Sequence, residues 1–127
     1  MEDKETTMEK KSTVIRKRKT ANAKSGLELL MTSGNLAGKR FMVPPEGLRL
    51  GRREECEIRV DDRLVSLVHC LFEELYGELR VTDLASKNGT YLNGFRLSSQ
   101  SAKLSKDDIV AVGDTVLTVA AHESQTP

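Results

Sequence analysis

The chain has 127 residues, a length that suits one domain of roughly 100 residues together with a tail. Hydrophobic residues make up 38% of the chain, aromatic residues make up 4%, and tryptophan is absent, so the core must come mainly from Leu, Val and Ile. This length excludes a large two-domain enzyme. The net charge of +1, taken by itself, gives no sign of a charged partner.

The charges are unevenly distributed along the chain. Residues 1–24 carry eight bases and four acids, a net charge of +4, whereas the remainder carries 12 bases and 15 acids, a net charge of −3. The first segment has few apolar residues and no sustained period, so it cannot bury enough surface to offset the entropy of ordering it. We expect residues 1–24 to be a disordered basic tail, residues 25–122 to form the domain and residues 123–127 to be a flexible end.

Neither a secretory leader nor a membrane span is expected. The N-terminus lacks an apolar stretch of ~7–15 residues, and no run approaches the ~18 apolar residues of a membrane helix. Cys56 and Cys70 lie in apolar-alternating stretches without a C-x-x-C spacing. We therefore expect two reduced, buried thiols in a cytoplasmic protein that binds no metal.

The hydrophobic pattern after the tail has the period of β-strands. Strands are predicted at residues 27–31, 41–43, 48–50, 57–60, 67–75, 78–82, 91–92, 95–97, 104–112 and 115–121. Turn signals separate them, among them Pro44-Pro45, Gly77 and Gly113-Asp114. Many short strands at roughly 8–12-residue spacing, without an amphipathic helix or an internal repeat, indicate an all-β sandwich.

Three polar clusters fall between these strands, where a sandwich keeps its binding sites. They are Gly51-Arg52-Arg53, Ser66-Leu67-Val68-His69, and the segment from Ser86 to Thr90 followed by Asn93-Gly94. Each has an ordinary structural interpretation when taken alone, because an arginine can be a surface cation, a serine a turn hydroxyl and Asn-Gly a hairpin turn.

Together, in this order and at these separations, the clusters resemble the forkhead-associated (FHA) domain. That family's pattern runs G-R, then S-x-x-H about fourteen residues later, then S-x-N-G-T-x-x-N-G after a hairpin, and finally a leucine-led turn into the last two strands. The matching segments are Leu50-Gly51-Arg52, Ser66-x-x-His69, Asp83 to Gly94, and Leu104 to Val110. The resemblance spans residues 27–121.

The resemblance implies an FHA-like β-sandwich of about eleven strands whose apical loops bind phosphothreonine in an extended peptide. A phosphate carries about −1.5 to −2 charge and three acceptor oxygens, so its site needs a forked cation and several neutral donors. The implied phosphopeptide contacts are the Arg52 guanidinium, the Ser66 hydroxyl, the Leu67 amide, the Lys87 ammonium and the Asn88 side chain, the last holding the peptide backbone. Residues near Lys87 and Arg63 are the implied readers of the third residue after the phosphothreonine.

Other residues of the motif are expected to hold the loops. By resemblance, Gly51, His69 and Asn93 structure loops rather than touch the ligand. One departure from the pattern is Leu67, which stands where a polar or basic phosphate contact is usual and can offer only its backbone amide. Arg53 or Lys87 can compensate for it, and Arg53 can also exchange roles with Arg52.

A catalytic Ser66-His69 dyad is the enzymatic alternative for the second cluster. It would need a third orienting group and an oxyanion hole, and the sequence offers neither. We therefore predict a non-enzymatic binding module without a cofactor or a metal.

The basic tail contains four candidate phosphorylation sites, Thr6, Thr7, Thr13 and Thr20. Thr20 directly follows the basic run 16–19, a context that suits many Ser/Thr kinases. The resemblance to small bacterial FHA proteins implies that a tail phosphothreonine can occupy the domain's own pocket and switch off partner binding. The alternative is that the tail is only a solubilising leader or the remnant of a linker.

The main prediction is a signalling adapter that binds phosphothreonine proteins downstream of a Ser/Thr protein kinase. Two alternatives stay open. An FHA-fold scaffold could make phosphate-independent protein contacts. The basic run 16–19 could also bind nucleic acid or an acidic membrane, but it lacks interleaved aromatic residues and would bind weakly. No membrane partner is expected, and nucleic acid is an unlikely one.

Overall fold

A computed structural model describes residues 25–98 and 100–122. These residues form eleven β-strands in two sheets, which confirms the predicted all-β sandwich. The strands are β1 (Leu27–Met31), β2 (Arg40–Phe41), β3 (Leu48–Gly51), β4 (Ile58–Arg59), β5 (Cys70–Leu75), β6 (Glu78–Asp83), β7 (Thr90–Leu92), β8 (Phe95–Arg96), β9 (Ala102–Leu104), β10 (Ile109–Val112) and β11 (Thr115–Ala121). Among the described residues there is no helix, hence none able to span a membrane.

The two sheets take strands from both halves of the domain. The six-stranded sheet has the order β8-β7-β10-β11-β1-β2, and the five-stranded sheet has the order β9-β6-β5-β3-β4. Neighbouring strands are antiparallel except for β3 and β4, which are parallel. The first strand, β1, pairs with the last, β11, in the register Leu29 to Val119. The two ends of the domain therefore lie side by side in the six-stranded sheet.

The core lies between the sheets and follows the period-two alternation of the strands. Each sheet contributes apolar side chains that are almost fully buried. They include Leu29, Met31, Val110, Leu117 and Val119 from the six-stranded sheet, and Leu50, Ile58, Phe72, Leu79 and Val81 from the five-stranded sheet. Phe72 is the largest of the fully buried side chains, so the core depends on Leu, Val and Ile, as the composition indicates.

Two predicted strands, 27–31 and 115–121, have the observed bounds; most of the others differ by one residue at an end, and three differ by more. The strand predicted at residues 67–75 begins only at Cys70, because the preceding residues form a loop held by His69. The stretch 104–112 is two strands in different sheets, interrupted by a turn in which Asp107 has a positive φ of 73°. The strand predicted at 41–43 is Arg40–Phe41, one residue earlier and one residue shorter.

Five connections meet at one end of the sandwich, which we call the apical end. They are residues 32–39 between β1 and β2, 52–57 between β3 and β4, 60–69 between β4 and β5, 84–89 between β6 and β7, and 113–114 between β10 and β11. Asp62 joins two of them, since its carboxylate accepts hydrogen bonds from the Asp114 amide (2.7 Å) and the Thr115 hydroxyl (2.8 Å). Each of the three polar clusters of the sequence therefore has residues at the apical end or next to it.

Both cysteines are buried and neither is in a disulfide. Burial raises the pKa of both thiols, and the effect is strongest at Cys70, which is fully buried in β5. They therefore pack as small hydrophobic side chains, as the sequence predicts.

Candidate functional site

Arg52 is the first residue after β3 and is anchored to the neighbouring loop. Its Nε donates to the Val65 carbonyl (2.6 Å), and its backbone amide donates to the Ser66 carbonyl (3.2 Å). Among the described residues, the two terminal nitrogens of its guanidinium have no hydrogen-bond or ion-pair partner. One edge of the guanidinium is thus held by the protein, and the other edge is available to an acceptor.

Gly51 makes this arrangement sterically possible. A Cβ at this position would lie 2.2 Å from the Leu67 carbonyl oxygen and 2.9 Å from the Cys56 Sγ. The same carbonyl accepts a hydrogen bond from the Arg53 amide (3.1 Å). Only glycine lets the end of β3 approach the Ser66 loop this closely, so Gly51 sets the spacing between the loops that carry Arg52 and Ser66.

Ser66 and Leu67 present one side-chain donor and one backbone donor next to Arg52. The Ser66 Oγ accepts a hydrogen bond from the Lys87 amide (2.9 Å), which leaves its own proton free to be donated. Within residues 25–98 and 100–122, the Leu67 amide has no acceptor. The Leu67 side chain is 46% exposed. A hydroxyl donor and an amide donor therefore follow directly after Val65, the residue that anchors the Arg52 guanidinium.

His69 joins two loops from a fully buried position. Its Nδ1 accepts a hydrogen bond from the Ser66 amide (3.0 Å), and its Nε2 lies 2.9 Å from the Gly89 carbonyl oxygen. A carbonyl can only accept, so Nε2 carries the ring proton. The ring contacts the backbone of Ser66 and not its hydroxyl, so the two residues are not arranged as a nucleophile and its base.

The turn that follows β6 is built on Asp83, the last residue of that strand. Its carboxylate accepts hydrogen bonds from the Ser86 amide (3.0 Å), the Ser86 hydroxyl (2.5 Å) and the Thr90 hydroxyl (2.7 Å). Partial burial favours a higher pKa for Asp83, but the hydrogen bonds from Ser86 and Thr90 outweigh it and hold this pKa below its usual range. The Ser86 hydroxyl also accepts from the Gly89 amide (2.9 Å), which closes the turn.

This turn presents Lys87 and Asn88 at the apical end. Both side chains are exposed, and the Asn88 Nδ2 donates to the Leu64 carbonyl (2.9 Å). A side-chain amide has a second N–H and a carbonyl oxygen, so Asn88 can also bond to a peptide backbone. The fold thus brings Lys87 and Asn88 together with Arg52, Ser66 and Leu67, the five residues predicted to contact a phosphopeptide.

Asn93 holds a different loop, at the other end of the six-stranded sheet. Its side chain donates to Asp108 (3.1 Å) and accepts from the Ile109 amide (2.9 Å). In the pairing of β7 with β10, Thr90 faces Val112 at the apical end, and Asn93 follows the opposite end of β7. Asn93 therefore structures the connection between β9 and β10, away from the apical loops.

The cations of the apical loops differ in their pairing from those of the sheets. Within the described part of the chain, Arg40, Arg49, Arg59, Arg80 and Lys103 each contact a carboxylate. By contrast, Arg52, Arg53, Arg63 and Lys87 contact none in the same residues. Within the described residues these four cations are therefore free of ion pairs and available to an anion, but the same loops also carry Glu54, Glu55, Asp62 and Asp114, so the apical end has no excess of positive charge.

Sequence reasoning missed three residues that shape this end. Asp83 and Ser86 lie within the matched motif, and their Asp-x-x-Ser spacing is a turn signal that could have identified them. The cross-loop bonds of Asp62 join residues about fifty positions apart, and no local pattern announces such contacts. The tail threonines Thr6, Thr7, Thr13 and Thr20 lie outside the described residues, as does the basic run 16–19.

The fold and the loop cluster define a β-sandwich of the kind that carries its binding residues on loops at one end. The family model of the FHA domain matches residues 48–113, just over half of the chain. The chain belongs to the FHA-domain family, as the motifs predict. The match begins at β3 and ends after β10, so it contains all the apical residues described above.

Comparisons with known proteins agree with this assignment. The chain is 36% identical over 102 residues to the glycogen accumulation regulator GarA of Mycolicibacterium smegmatis, covering 74% of this chain and 63% of that protein. It is 38% identical over 85 residues to the oxoglutarate dehydrogenase inhibitor of Corynebacterium diphtheriae, covering 67% and 58% respectively. The chain thus spans about six tenths of the length of these curated relatives.

Among solved structures, the fold is similar to the FHA domain of a hypothetical protein of Arabidopsis thaliana. The TM-score is 0.73 and the sequence identity is 26%, over 87% of this chain and 99% of that domain. The likeness covers more of the chain than the family model does, and it includes strands on both sides of the matched segment.

Proposed function

We propose that this protein is a regulatory adapter that binds phosphothreonine peptides through its apical loops. The observation that carries the proposal is the guanidinium of Arg52, anchored through Nε to Val65 and open on its other edge beside the Ser66 hydroxyl and the Leu67 amide. A charged fork with neutral donors is the donor set that a phosphate dianion requires. Membership of the FHA family supports the same assignment.

The second loop would hold the peptide around the phosphate. Lys87 adds a positive charge across from Arg52, and its amide already bonds to the Ser66 hydroxyl. Asn88 is fixed by the Leu64 carbonyl and has a free carbonyl oxygen and a free N–H for the peptide backbone. Arg53 is held only through its backbone and can compensate for the missing side-chain contact at Leu67.

Binding to a degenerate phosphothreonine peptide library tests this function. The wild-type protein should bind phosphorylated peptides and not their unphosphorylated forms. Arg52→Ala should weaken binding about ten- to a hundredfold, because it removes a charge-assisted contact of about 1.5–3 kcal/mol. Lys106→Ala is the matched control, since this exposed lysine lies in the turn before β10, which faces away from the apical end. Absence of phosphate-dependent binding by the wild-type protein would falsify the proposal.

A phosphate-independent scaffold is the second candidate, and one observation favours it. The side chains of Leu64 and Leu67, each 46% exposed, put apolar surface on both sides of Ser66. A scaffold would retain its partner after phosphatase treatment, and Arg52→Ala would leave that binding unchanged. An adapter of the first kind would lose its partner in both experiments.

The proposal extends to regulation by a Ser/Thr kinase in the cytoplasm. Phosphorylation at Thr6, Thr7, Thr13 or Thr20 would supply a phosphothreonine on the same chain, and tens of residues of tail give it an effective concentration near the millimolar scale. Peptide titration before and after kinase treatment tests this step. Phosphorylated protein should bind the peptide more weakly, and unchanged affinity would exclude self-binding while leaving peptide recognition in place.

A further inference from the structure

Arg96 lies next to the proposed peptide site, on a strand that contributes none of the residues proposed to contact the peptide. It is the second residue of β8, the edge strand of the six-stranded sheet, and is paired with Tyr91 of β7. Gly89 lies in the turn that leads into β7, two positions before Tyr91. Arg96 and Gly89 are thus diagonal neighbours across the strand pair, within reach of a long side chain.

The side chain of Arg96 lies directly over the backbone of Gly89. A Cβ at Gly89 would be 2.6 Å from the Arg96 Nε, 2.9 Å from its Cζ and 3.1 Å from its Cδ. The φ of Gly89 is +92°, a backbone conformation that favours glycine, and the absence of a side chain there leaves room for the Arg96 side chain. The guanidinium is therefore seated beside Asn88, the residue proposed to hold the peptide backbone.

No acidic residue is aligned with Arg96 on the neighbouring strands of the six-stranded sheet. The residues aligned with Arg96 across the sheet are Tyr91, Ala111 and Val116, none of which is acidic. Arg96 is exposed, and within residues 25–98 and 100–122 it forms no ion pair or side-chain hydrogen bond. An exposed guanidinium is a planar fork that matches a carboxylate or a phosphate.

We propose that Arg96 is a specificity-determining residue that selects phosphothreonine peptides with an acidic group close to the phosphothreonine. The inference rests on the proposed function, because it places the peptide backbone at Asn88. An extended peptide advances about 3.3 Å per residue, so the acidic group would be within a few residues of the phosphothreonine. The group is either an Asp or Glu carboxylate or a second phosphate, both of which fit the guanidinium.

Paired peptides test the inference on the full-length protein. In a phosphothreonine peptide that the wild-type protein binds, each of the positions flanking the phosphothreonine is made Asp in one peptide and Asn in its pair. At one position the wild-type protein should prefer Asp about two- to fivefold, as expected for an exposed ion pair. Arg96→Gln should abolish this preference, and Arg96→Glu should reverse it. A third peptide with phosphoserine at that position distinguishes the two acidic groups by its affinity relative to Asp.

Lys106→Glu is the matched control for Arg96→Glu, because it changes the net charge equally at an exposed residue in the turn before β10. It should keep the wild-type preference. Unchanged preference in Arg96→Glu, or the absence of any Asp preference in the wild-type protein, would overturn the inference while phosphate-dependent binding stands. Loss of phosphate-dependent binding in the wild-type protein itself would overturn both proposals.

Discussion

At the scale of single residues, His69 supplies hydrogen bonds to backbone groups that lie in loops, outside the two sheets. The Ser66 amide and the Gly89 carbonyl belong to loops, and the buried imidazole between them satisfies both. An unsatisfied buried polar group costs about 1–3 kcal/mol, so this side chain stabilises two loops at once. The order of the proposed phosphate site therefore depends on a residue that does not contact the phosphate.

We expect His69→Ala to lower the free energy of unfolding by about 2–5 kcal/mol, because it leaves both backbone groups buried without partners. Urea denaturation at neutral pH measures this change. His122→Ala is the control: His122 is exposed in the described part of the chain and contacts only Glu28, so its loss should cost less than about 1 kcal/mol. Equal stability of the two variants would contradict the role assigned to His69.

At the scale of elements, the turn after β6 depends on one carboxylate. Asp83 accepts three hydrogen bonds, from the backbone and hydroxyl of Ser86 and from the hydroxyl of Thr90. These bonds exist for the ionised carboxylate and lower its pKa against the opposing effect of burial. The position of Lys87 and Asn88 is therefore sensitive to the charge of a residue that neither of them contacts.

Asp83→Asn should reduce the free energy of unfolding at neutral pH by about 1–3 kcal/mol. Because the pKa of Asp83 is lower in the folded protein than in the unfolded chain, its stabilisation is complete above about pH 4 and declines as the pH falls through the folded pKa. The stability difference between wild type and variant should therefore shrink below about pH 4. Chemical denaturation at a series of pH values measures it, and a constant difference down to pH 2 would refute the assignment.

The contact between β3 and the Ser66 loop gives a second prediction at this scale. Gly51→Ala places a methyl group 2.2 Å from the Leu67 carbonyl oxygen, so the loop must move. We expect a loss of about 1–3 kcal/mol in stability, typical of overpacking, together with weaker phosphopeptide binding. Gly26→Ala is the control for peptide binding: no atom lies within 4 Å of the added Cβ, so its positive φ of 77° should cost stability through backbone strain while peptide affinity stays unchanged. Undiminished peptide affinity in Gly51→Ala would show that the loop spacing does not matter.

At the scale of the whole molecule, the charges of the domain are sorted by position. Acidic partners neutralise five cations of the described residues, Arg40, Arg49, Arg59, Arg80 and Lys103, whereas the apical cations lack such partners there. Recognition of a phosphate at this end would therefore depend on short-range contacts of the unpaired cations, because Glu54, Glu55, Asp62 and Asp114 in the same loops balance their charge.

Removal of residues 1–24 should leave phosphopeptide binding intact and abolish any binding of nucleic acid, because the basic run 16–19 is lost with them. Binding of a phosphopeptide and of a DNA duplex, measured at several salt concentrations with and without the tail, separates the two activities. Loss of phosphopeptide binding on deletion would show that the tail belongs to the site.

Much of the fold was accessible from the sequence, because period-two alternation and Gly, Asn and Pro turns are local signals. The ends of strands were not. The apolar run from Leu67 to Leu75 predicts one strand, yet its first three residues form the loop that contains His69. The stretch 104–112 contains a turn at Asp107, and its two strands pair with different sheets. Pairing partners decide these boundaries, and a single sequence does not contain them.

By itself, the sequence determined the fold class, the family and the segments that match the family's motif, because spacing and residue type are local properties of the chain. Only the tertiary structure decided which edge of Arg52 is open, which atoms His69 joins, and that Arg96 lies over Gly89. The physical reason is that these contacts link strands and loops far apart in the chain, and packing fixes their geometry. The net charge of +1 likewise said nothing about a binding site. The fold showed which cations form ion pairs and which, at the apical end, form none within the described residues.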